Sequence, residues 1–427
     1  MIYNHNTISM NKLLLLGLAG LSAVSVFAKP PHSKEPRANH ELKEASHDVF
    51  TDNAPEGYKD AVPHFAIFGK KDLFYLGIGG AVKATVGMDW GAPTDNPNEF
   101  VTGDIVPVAP GDKTKFNLSA AQSSLFVNFV AFPNSDNQLG AFIGMNFLNN
   151  YCPVLQYAYL KYRGIKAGYD YSVFSDNGAM PPTIDYEGPN ACTASPTPVV
   201  SYTYSFGKHK AWSASIGLEL PSPSITNRSY TRLVNQAVPD IPIAIKYAWN
   251  GGNDWVKASA ILRNIYYHNE HTEKNVDVAG WGVSVSGTSE IVSNLRAYWT
   301  GVYGHGIASL MQDCSGMNMD LSPVGNEGYL TASKSWGGFA GLQYNFTENV
   351  YCSATYSHVR NYAKAWTGGD HAYGDQYKYA QYAVGNVFWN ITPIVTTGLE
   401  YIYGRRVNVD GTQAHDNRLQ AMLQVSF

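Results

Sequence analysis

The stretch RLQAMLQVSF, residues Arg418 to Phe427, decides the fold of this chain. Apolar and polar side chains alternate along it without interruption; the apolar set is Leu419, Ala421, Leu423, Val425 and Phe427. A period of two residues is typical of a β-strand, in which successive side chains point to opposite faces of the sheet. The length also suits a tilted strand that crosses a membrane, which needs roughly 9–11 residues. We therefore interpret this stretch as a membrane-crossing strand with one apolar and one wet face.

The composition fits strands that are apolar on one side only. Charged residues make up 15% of the 427 residues, and the chain contains 29 Tyr, 9 Trp and 40 Gly. The mean hydropathy of −0.21 excludes a helical membrane protein. The formal charge is −4, without a basic run or tail, so we expect no nucleic-acid partner. A transmembrane barrel has this balance because its lumen is wet, although a secreted all-β enzyme or lectin shares much of it.

The amino end predicts export. Lys12 precedes an unbroken run of apolar and small residues that ends in a small-x-small cleavage site, Val26-Phe27-Ala28. The run is shorter than the roughly 20 residues that a membrane helix needs. We predict a cleaved signal peptide over residues 1–28, a flexible periplasmic N-terminal arm over residues 29–61 and a transmembrane barrel over residues 62–427.

From Leu73 onward the alternating pattern recurs in sixteen segments, among them the first at Phe74–Trp90, the ninth at Trp255–His268, the twelfth at Tyr329–Phe346 and the last at Asn417–Phe427. Connections after even-numbered segments are short, whereas most of those after odd-numbered segments are long, such as Asp176–Pro198 after the fifth. Bacterial outer-membrane barrels have this asymmetry, with tight periplasmic turns and long outer loops. The sequence thus predicts an all-β fold, a 16-stranded antiparallel transmembrane β-barrel in the bacterial outer membrane.

A barrel of this size encloses a water-filled channel, so its functional residues should be lumen-facing charges. Strand parity turns several basic residues toward the wet face, but it leaves the direction of Arg263 and Arg360 open. A cluster of lumen cations would lower the cost of dehydrating an anion. Alternatively, these side chains only pair with luminal carboxylates and set no selectivity. The candidate pore-lining residues are Lys161, Arg163, Arg263, Arg296, Arg360, Arg406 and Arg418.

The third outer loop, Asp176–Pro198, is unusually rich in Pro and Gly. We predict that it folds inward and forms the constriction, with Asp185 and Glu187 facing the basic wall; an ordinary surface loop is the alternative. The compartment is oxidising, and Cys152 and Cys192 lie in loops on the same side of the barrel. These two cysteines are therefore a candidate disulfide pair, with two free thiols as the alternative.

Enzymatic motifs are absent from the sequence, which contains no G-x-S-x-G, H-E-x-x-H or C-x-x-C. His268 and His271 lie beside Glu270 and Glu273, but we interpret that stretch as a solvated loop. We predict no metal, no cofactor and no enzymatic activity. The alternatives to a diffusion channel are an outer-membrane barrel enzyme and a structural or adhesive barrel with a closed lumen.

Four stretches carry a family resemblance: YLKYRGIKAGYDYSVFSD (Tyr159–Asp176), PPTIDYEGPN (Pro181–Asn190), GLEYIYGRRVNVDG (Gly398–Gly411) and the closing strand. From about Val62 to its end, the chain resembles the DcaP-like porins, a family of trimeric outer-membrane channels. The second outer loop, Asn149–Pro153, is too short to latch onto a neighbouring subunit as a longer loop could.

The resemblance implies a homotrimer and passive diffusion of small hydrophilic solutes, preferentially anionic ones of the carboxylate type, past luminal arginines and an inward third loop. Its most secure positions for this role are Lys161, Arg163, Asp185 and Glu187. The partners that it implies are outer-membrane lipid, lipopolysaccharide and small anionic solutes.

Overall fold

The computed structural model of the protein describes residues 47–55, 63, 65–69, 73–194, 196–225, 230–325, 327–364 and 374–427, all within one compact unit, Ser46–Phe427. The predicted signal peptide, residues 1–28, lies outside the described residues, as does most of the predicted arm. No helix in the described ranges is long and apolar enough to cross a membrane.

Strands dominate the described chain. One short α-helix, α1, covers residues 47–53. Short 3₁₀ turns occur at Thr102–Asp104, Pro110–Asp112, Asn177–Ala179, Lys208–Lys210, Asn250–Gly252, Ala308–Leu310 and Gln312–Cys314. The strands are β1 (Phe65–Phe68), β2 (Phe74–Trp90), β3 (Thr114–Ser119), β4 (Ser124–Ala131), β5 (Leu139–Asn149), β6 (Cys152–Tyr162), β7 (Ile165–Tyr171), β8 (Pro196–Phe206), β9 (Trp212–Glu219), β10 (Thr231–Leu233), β11 (Ile241–Trp249), β12 (Asp254–Asn269), β13 (Lys274–Val292), β14 (Leu295–His305), β15 (Leu321–Val324), β16 (Tyr329–Ala332), β17 (Lys334–Asn345), β18 (Val350–Asn361), β19 (Tyr377–Thr392), β20 (Val395–Asn408) and β21 (Gln413–Ser426).

Antiparallel pairing closes these strands into the predicted 16-stranded barrel, which is confirmed. β3 and β4 share one position in the wall, because they pair with the second and first halves of β2, respectively. The ring closes where β21 pairs with β2, from Ala81↔Ser426 to Trp90↔Asn417. Four short strands lie outside the sixteen: β1 and β10 add pairings to β2 and β12, and β15 with β16 forms a separate hairpin.

The connections sort by end, as predicted. Tight turns join the strands at one end, which we call the periplasmic end, and the long loops lie at the other, which we call the outer end. The long loops used below are L1 (residues 91–113), L3 (residues 172–195), L4 (residues 220–240) and L6 (residues 306–333). Three connections at the outer end are short: residues 150–151 between β5 and β6, residues 270–273 between β12 and β13, and residues 409–412 between β20 and β21.

The period-two pattern of the closing strand gives the two faces that it predicts. On β21, Leu419 and Leu423 are 40% and 50% exposed on the outward face, whereas Arg418 and Gln420 are 0% and 3% exposed on the inward face. Polar inward side chains are buried because loops and other side chains cover them from inside the barrel. The outward apolar side chains have only the membrane to cover them.

The wall is uneven in height. β7 has 7 residues, whereas β13 has 19 and pairs with the 16-residue β12 along its outer part. The hairpin of β12 and β13 closes through a turn at residues 270–273. At about 3.4 Å per residue, this hairpin makes one side of the barrel much taller than the side that holds β7.

Loops fill part of the barrel interior. L3 and L6 pack together with inward side chains of the wall in the largest apolar cluster, so the interior of the outer half is a folded core as well as a channel wall. Members of this cluster include Phe174, Ala191 and Cys192 from L3, Ile307, Met311 and Cys314 from L6, and Ile261, Tyr298 and Phe339 from the wall.

All four cysteines are free, so the disulfide considered between Cys152 and Cys192 is not formed. Cys152 is exposed at the start of β6, at the rim of the barrel. Cys192 is 2% exposed because L3 carries it into the apolar cluster, near Cys314 of L6. Lying on the same side of the barrel is therefore not enough to bring the two thiols together.

Candidate functional site in the barrel interior

L3 leaves the wall after β7 and reaches strands far from its own. The N–H groups of Ile184 and Asp185 donate hydrogen bonds of 2.7 Å and 2.9 Å to the Glu400 carboxylate of β20. The Lys83 ammonium group of β2 donates to the Ile184 carbonyl at 3.0 Å. Glu400 and Lys83 occupy inward positions of their strands, so these bonds hold the middle of L3 against the inner face of the wall.

Asp185 and Glu187 are buried, 2% and 8% exposed, although the sequence predicts that they face the basic wall across the bore. The Asp185 carboxylate accepts hydrogen bonds from the Phe100 N–H of L1 and the Tyr382 hydroxyl of β19, each at 2.9 Å. Burial, reinforced by the Glu400 carboxylate, raises the pKa of Asp185 to about 7. Burial also raises the pKa of Glu187 well above its ordinary value. The prediction is corrected because L1 and L6 cover this part of L3.

Two of the predicted pore-lining arginines lie away from the lumen. Arg163 occupies the β6–β7 turn with a φ of 48° and donates to the Asn137 side chain and the Asp136 carbonyl, at 2.9 Å and 3.1 Å. A turn residue has left the alternating geometry of the strand, so parity does not apply to it. Arg360 lies on the outward face of β18, with its guanidinium carbon 4.7 Å from the centre of the Tyr362 ring.

Arg418 and Arg263 face inward as candidates, but carboxylates hold both. Arg418 makes two hydrogen bonds to the Asp89 carboxylate of β2, at 2.7 Å and 2.9 Å. The Arg263 guanidinium lies 3.0 Å from Asp240 and 3.5 Å from Asp320. Both arginines are 0–4% exposed. These pairs join strands and loops, as the alternative interpretation of the luminal arginines describes.

Arg296 and Arg406 also face inward and are engaged. Arg296 of β14 lies 3.0 Å from the Asp254 carboxylate at the start of β12. Arg406 of β20 donates to the Gly103 carbonyl of L1 and, at 2.8 Å, to the Asn408 side chain. Arg296 therefore supports the periplasmic end of the wall, and Arg406 supports a loop at its outer end.

Besides the predicted Lys161, three lysines supply positive charge that the prediction missed: Lys166, Lys246 and Lys257. Lys246 and Lys257 stand directly opposite each other on β11 and β12, and Lys161 stands opposite Lys166 on β6 and β7. All four occupy inward positions in the periplasmic half of the barrel. Like charges in directly opposed positions repel each other. The same alternation would have found these lysines, since Lys246 lies between the exposed Ile245 and Tyr247.

The pair formed by Lys161 and Lys166 lies beside α1. The Lys161 ammonium group donates to the Asp52 carbonyl at 2.6 Å, and Lys166 forms an ion pair with Asp170 on its own strand. The inward position predicted for Lys161 is therefore correct. Its neighbours Tyr157 and Tyr159 face the same way, at 7% and 4% exposed.

The pair formed by Lys246 and Lys257 lies beside the start of L3. Lys257 donates a hydrogen bond to the Ser175 carbonyl. The Lys246 ammonium group lies 4.1 Å from the centre of the Trp255 ring, a cation–π contact. L3 and the aromatic ring thus fix the direction of both ammonium groups.

A polar cavity of about 260 Å³ remains between L3 and the wall formed by β2, β4, β5, β6 and β21. The Tyr186 hydroxyl of L3 crosses it, donating to Gln156 at 2.8 Å and accepting from Asn146 at 2.9 Å. Amide, hydroxyl and ammonium groups on its surface suit hydrated polar solutes. The polar side chains around it are Lys83, Gln122, Ser124, Asn146, Gln156, Gln424 and Ser426.

α1 lies inside the periplasmic end of the barrel. The Asn53 amide donates to Asn128 of β4 at 2.6 Å and to the Ala141 carbonyl of β5 at 3.1 Å. The Tyr159 hydroxyl of β6 donates to the Asn53 carbonyl at 2.7 Å. Val49 and Phe50 of α1 belong to an apolar cluster with wall residues. Residues 47–55 of the predicted flexible arm are therefore docked on the inner wall, because Asn53 forms hydrogen bonds with it and the apolar side chains pack against it.

Within the described residues, His268, Glu270 and Glu273 bring potential metal-ligand atoms within 4.8 Å of one another. The His268 Nε2 lies 3.7 Å from each carboxylate, and Glu270 also pairs with Arg232 at 3.0 Å. The group sits at the tip of the β12–β13 hairpin, far from the lumen.

A closed barrel with an apolar outer face, a polar interior and an inward loop defines a membrane channel of the outer-membrane class. A model of the porin subfamily, Porin_2, matches residues 116–422, and the chain belongs to this family of outer-membrane porins. None of the curated protein sequences matches the chain.

Solved structures share the fold. The outer-membrane channel DcaP of Acinetobacter baumannii is 19% identical, covers 85% of this chain and 100% of its own, and has a TM-score of 0.71. Outer-membrane-expressed OmpT of Vibrio cholerae is 11% identical over 84% of this chain and 100% of its own, with a TM-score of 0.51. The anion-selective porin of Comamonas acidovorans is 9% identical over 83% of this chain and 100% of its own, with a TM-score of 0.51.

Proposed function

We propose that this porin lets small hydrophilic solutes diffuse passively across the outer membrane and prefers anions of the carboxylate type. The observation that carries the preference is the pair of opposed lysines, Lys246 and Lys257, together with Lys161 and Lys166. Ammonium groups along the lumen raise the local concentration of anions and replace part of the hydration that an anion loses. The anion-selective porin of Comamonas acidovorans, which shares the fold, supports a channel of this kind.

In this proposal, the narrowest part of the channel is the space beside L3. The side chains of Asp185 and Glu187 do not line it, because they are buried. Solutes pass the polar cavity next to Tyr186 and then the lysines of the periplasmic half. Of the predicted pore-lining residues, Lys161 keeps its role, while Arg263, Arg296, Arg406 and Arg418 shape the wall through their ion pairs and hydrogen bonds. Passive diffusion agrees with a site that offers ammonium groups and amides but no assembled catalytic set among the described residues.

The proposed assembly is a homotrimer in outer-membrane lipid and lipopolysaccharide. Outward positions of β2 to β9 carry no charged side chain in the part of the chain that the structure describes. An uncharged outward face of this extent suits contact with other copies of the chain. One structure of OmpT of Vibrio cholerae is described as a trimer form, which supports this state.

The test is planar-bilayer recording of the purified protein under a salt gradient. The reversal potential should indicate anion preference, and the double variant Lys246→Gln, Lys257→Gln should shift it toward zero. The matched control is Lys208→Gln, Lys210→Gln, which removes the same charge from an exposed periplasmic turn and should leave the reversal potential unchanged. Absence of conductance would contradict the channel, and a cation-selective reversal potential would contradict the anion preference alone.

A further inference from the structure

The turn between β12 and β13 brings together three side chains of the types that bind metal ions. His268 lies near the end of β12, Glu270 follows that strand, and Glu273 precedes β13. Spacing alone predicts a solvated loop here, but the strands stay paired up to Asn269↔Lys274, which sets the two sides of the turn next to each other. One potential ligand atom of each side chain lies within 4.8 Å of the other two. The folded hairpin thus forms a group of one imidazole and two carboxylates.

The distances within this group fit a shared cation better than a hydrogen bond. The His268 Nε2 lies 3.7 Å from a carboxylate oxygen of Glu270 and 3.7 Å from one of Glu273. A hydrogen bond from an imidazole nitrogen would need about 2.7–3.2 Å. Ligand atoms that lie about 2.0–2.2 Å from a tetrahedral Zn²⁺ ion are about 3.4 Å apart. Small side-chain rotations are therefore enough to bring the three atoms onto one ion.

Two residues outside the group orient its side chains. The His268 Nδ1 donates a hydrogen bond of 2.8 Å to the Asn275 Oδ1, so Nε2 is the ring atom left to bind a ligand. The Arg232 Nε donates at 3.0 Å to the Oε1 of Glu270, and the other oxygen, Oε2, is the one that faces His268. Metal-binding histidines and carboxylates characteristically have such outer partners, which fix the direction of the ligand atom.

Hydrogen bonds also hold the backbone of the turn. Asn269 is 0% exposed; its Oδ1 accepts from the His271 N–H at 2.9 Å, and its Nδ2 donates to the Glu327 carbonyl of L6 at 2.9 Å. The Glu270 N–H donates to the Tyr230 carbonyl of L4 at 3.0 Å. Ligand groups on a backbone that is already ordered lose less conformational entropy when they bind, which favours affinity.

We infer that His268, Glu270 and Glu273 form a binding site for a first-row divalent cation, with Zn²⁺ as its representative. One imidazole nitrogen with two carboxylate oxygens suits such an ion, whereas Ca²⁺ and Mg²⁺ take oxygen ligands. The Glu273 side chain is 81% exposed, so it is the ligand that closes over an ion arriving from the surrounding medium. The bound ion ties the two strands together at the tip of the hairpin and, through the contact of Glu270 with Arg232, ties the tip to L4.

Isothermal titration calorimetry of the full chain in detergent, purified without a polyhistidine tag, tests the site with Zn²⁺ alone as the probe. The chain contains 12 histidines, so the readout is the difference between variants. The wild type should bind one equivalent more than His268→Ala. Glu273→Gln and Asn275→Ala should each weaken that equivalent about tenfold or more, since even the loss of an outer partner typically costs this much. His271→Ala, which removes an imidazole from the same turn, should bind like the wild type.

Hydrogen exchange at the tip separates lost binding from lost folding. Zn²⁺ should slow exchange of the amides of residues 270–273 in the wild type and in His271→Ala but not in Glu273→Gln, whereas the three proteins should exchange alike without Zn²⁺. Equal Zn²⁺ binding by the wild type and His268→Ala, loss of the equivalent in His271→Ala, or binding of Ca²⁺ as tight as that of Zn²⁺ would each overturn the assignment.

Discussion

Asp185 and Glu400 meet where L3 touches β20: the Asp185 N–H donates a hydrogen bond of 2.9 Å to one oxygen of the Glu400 carboxylate. The other oxygen accepts from the Ile184 N–H at 2.7 Å. The side chains of Asn386 and Gln420 donate to the same carboxylate at 3.0 Å and 2.9 Å. Glu400 is 1% exposed, so this inward carboxylate is the anchor that fixes the middle of L3 to the wall.

We expect Glu400→Ala to release L3. Removing the carboxylate leaves the N–H groups of Ile184 and Asp185 without acceptors, at about 1–3 kcal/mol each. Hydrogen exchange at these two amides should become faster, and open-channel noise should increase. Glu290→Ala, which removes a carboxylate that is 40% exposed at the periplasmic end, serves as the control. Unchanged exchange at Ile184 would show that L3 is held elsewhere.

Docking of L3 should weaken as the pH rises. Burial and the nearby Glu400 raise the pKa of Asp185 from 3.8 to about 7. Between these values the docked loop binds more protons than a released loop, so docking loses stability through that window and levels off above it. Burial raises the pKa of Asp313 in L6 to about 6, which acts in the same direction.

The measurement is open-channel noise between pH 5 and pH 8. Noise should be greater at pH 8 in the wild type, and Asp185→Asn should flatten most of that dependence. Asp112→Asn, which changes an exposed carboxyl group in L1, should leave the profile unaltered. A variant profile that matches the wild type would exclude Asp185 as the titrating group.

The position of α1 predicts a wider periplasmic end when the helix is released. Asn53→Ala removes the hydrogen bonds to Asn128 and Ala141, which should shift the docking equilibrium of α1 by about 1–3 kcal/mol. Single-channel conductance should rise or switch between two levels. Asp48→Ala alters an exposed residue of the same helix and should conduct like the wild type. Identical conductance of all three proteins would mean that α1 does not limit the flow.

The uncharged outward face predicts where a charge disrupts the trimer. Leu118 on β3 is 67% exposed and Leu262 on β12 is 63% exposed, both on the outward face. Leu118→Arg should convert trimers to monomers, because an unpaired charge would be buried between subunits. Leu262→Arg also places a charge in the lipid, at a free-energy cost of about 2–4 kcal/mol at mid-membrane, but this variant should remain trimeric. Light scattering in detergent gives the mass of each, and a trimeric Leu118→Arg would relocate the interface.

Much of the barrel follows from alternation alone. The predicted first segment, Phe74–Trp90, coincides with β2, and the ninth, Trp255–His268, falls within β12. The twelfth prediction, Tyr329–Phe346, fails at its start, because Tyr329–Ala332 belongs to the β15–β16 hairpin of L6. Alternation shows that a segment is a strand, but it does not show which sheet the strand joins.

The interior was less predictable for a related reason. Parity turns Arg418 inward correctly, and it leaves the direction of Arg263 open. The partners of these two arginines, Asp89 and Asp320, lie in other parts of the chain. Only the closed ring brings these carboxylates into contact. Arg360 is a predicted pore-lining residue, but the alternation around it is too weak to give its direction. In the structure it faces the lipid.

The tall hairpin of β12 and β13 has a practical consequence for studies in intact cells. Its tip, residues 270–273, belongs to the longest pair of strands and carries exposed polar side chains. A short epitope inserted between His271 and Thr272 would lie at the outer end of the barrel, where an antibody too large to cross the membrane reaches it without lysis. The unequal wall thus supplies a surface-display position away from the lumen and from the proposed interface.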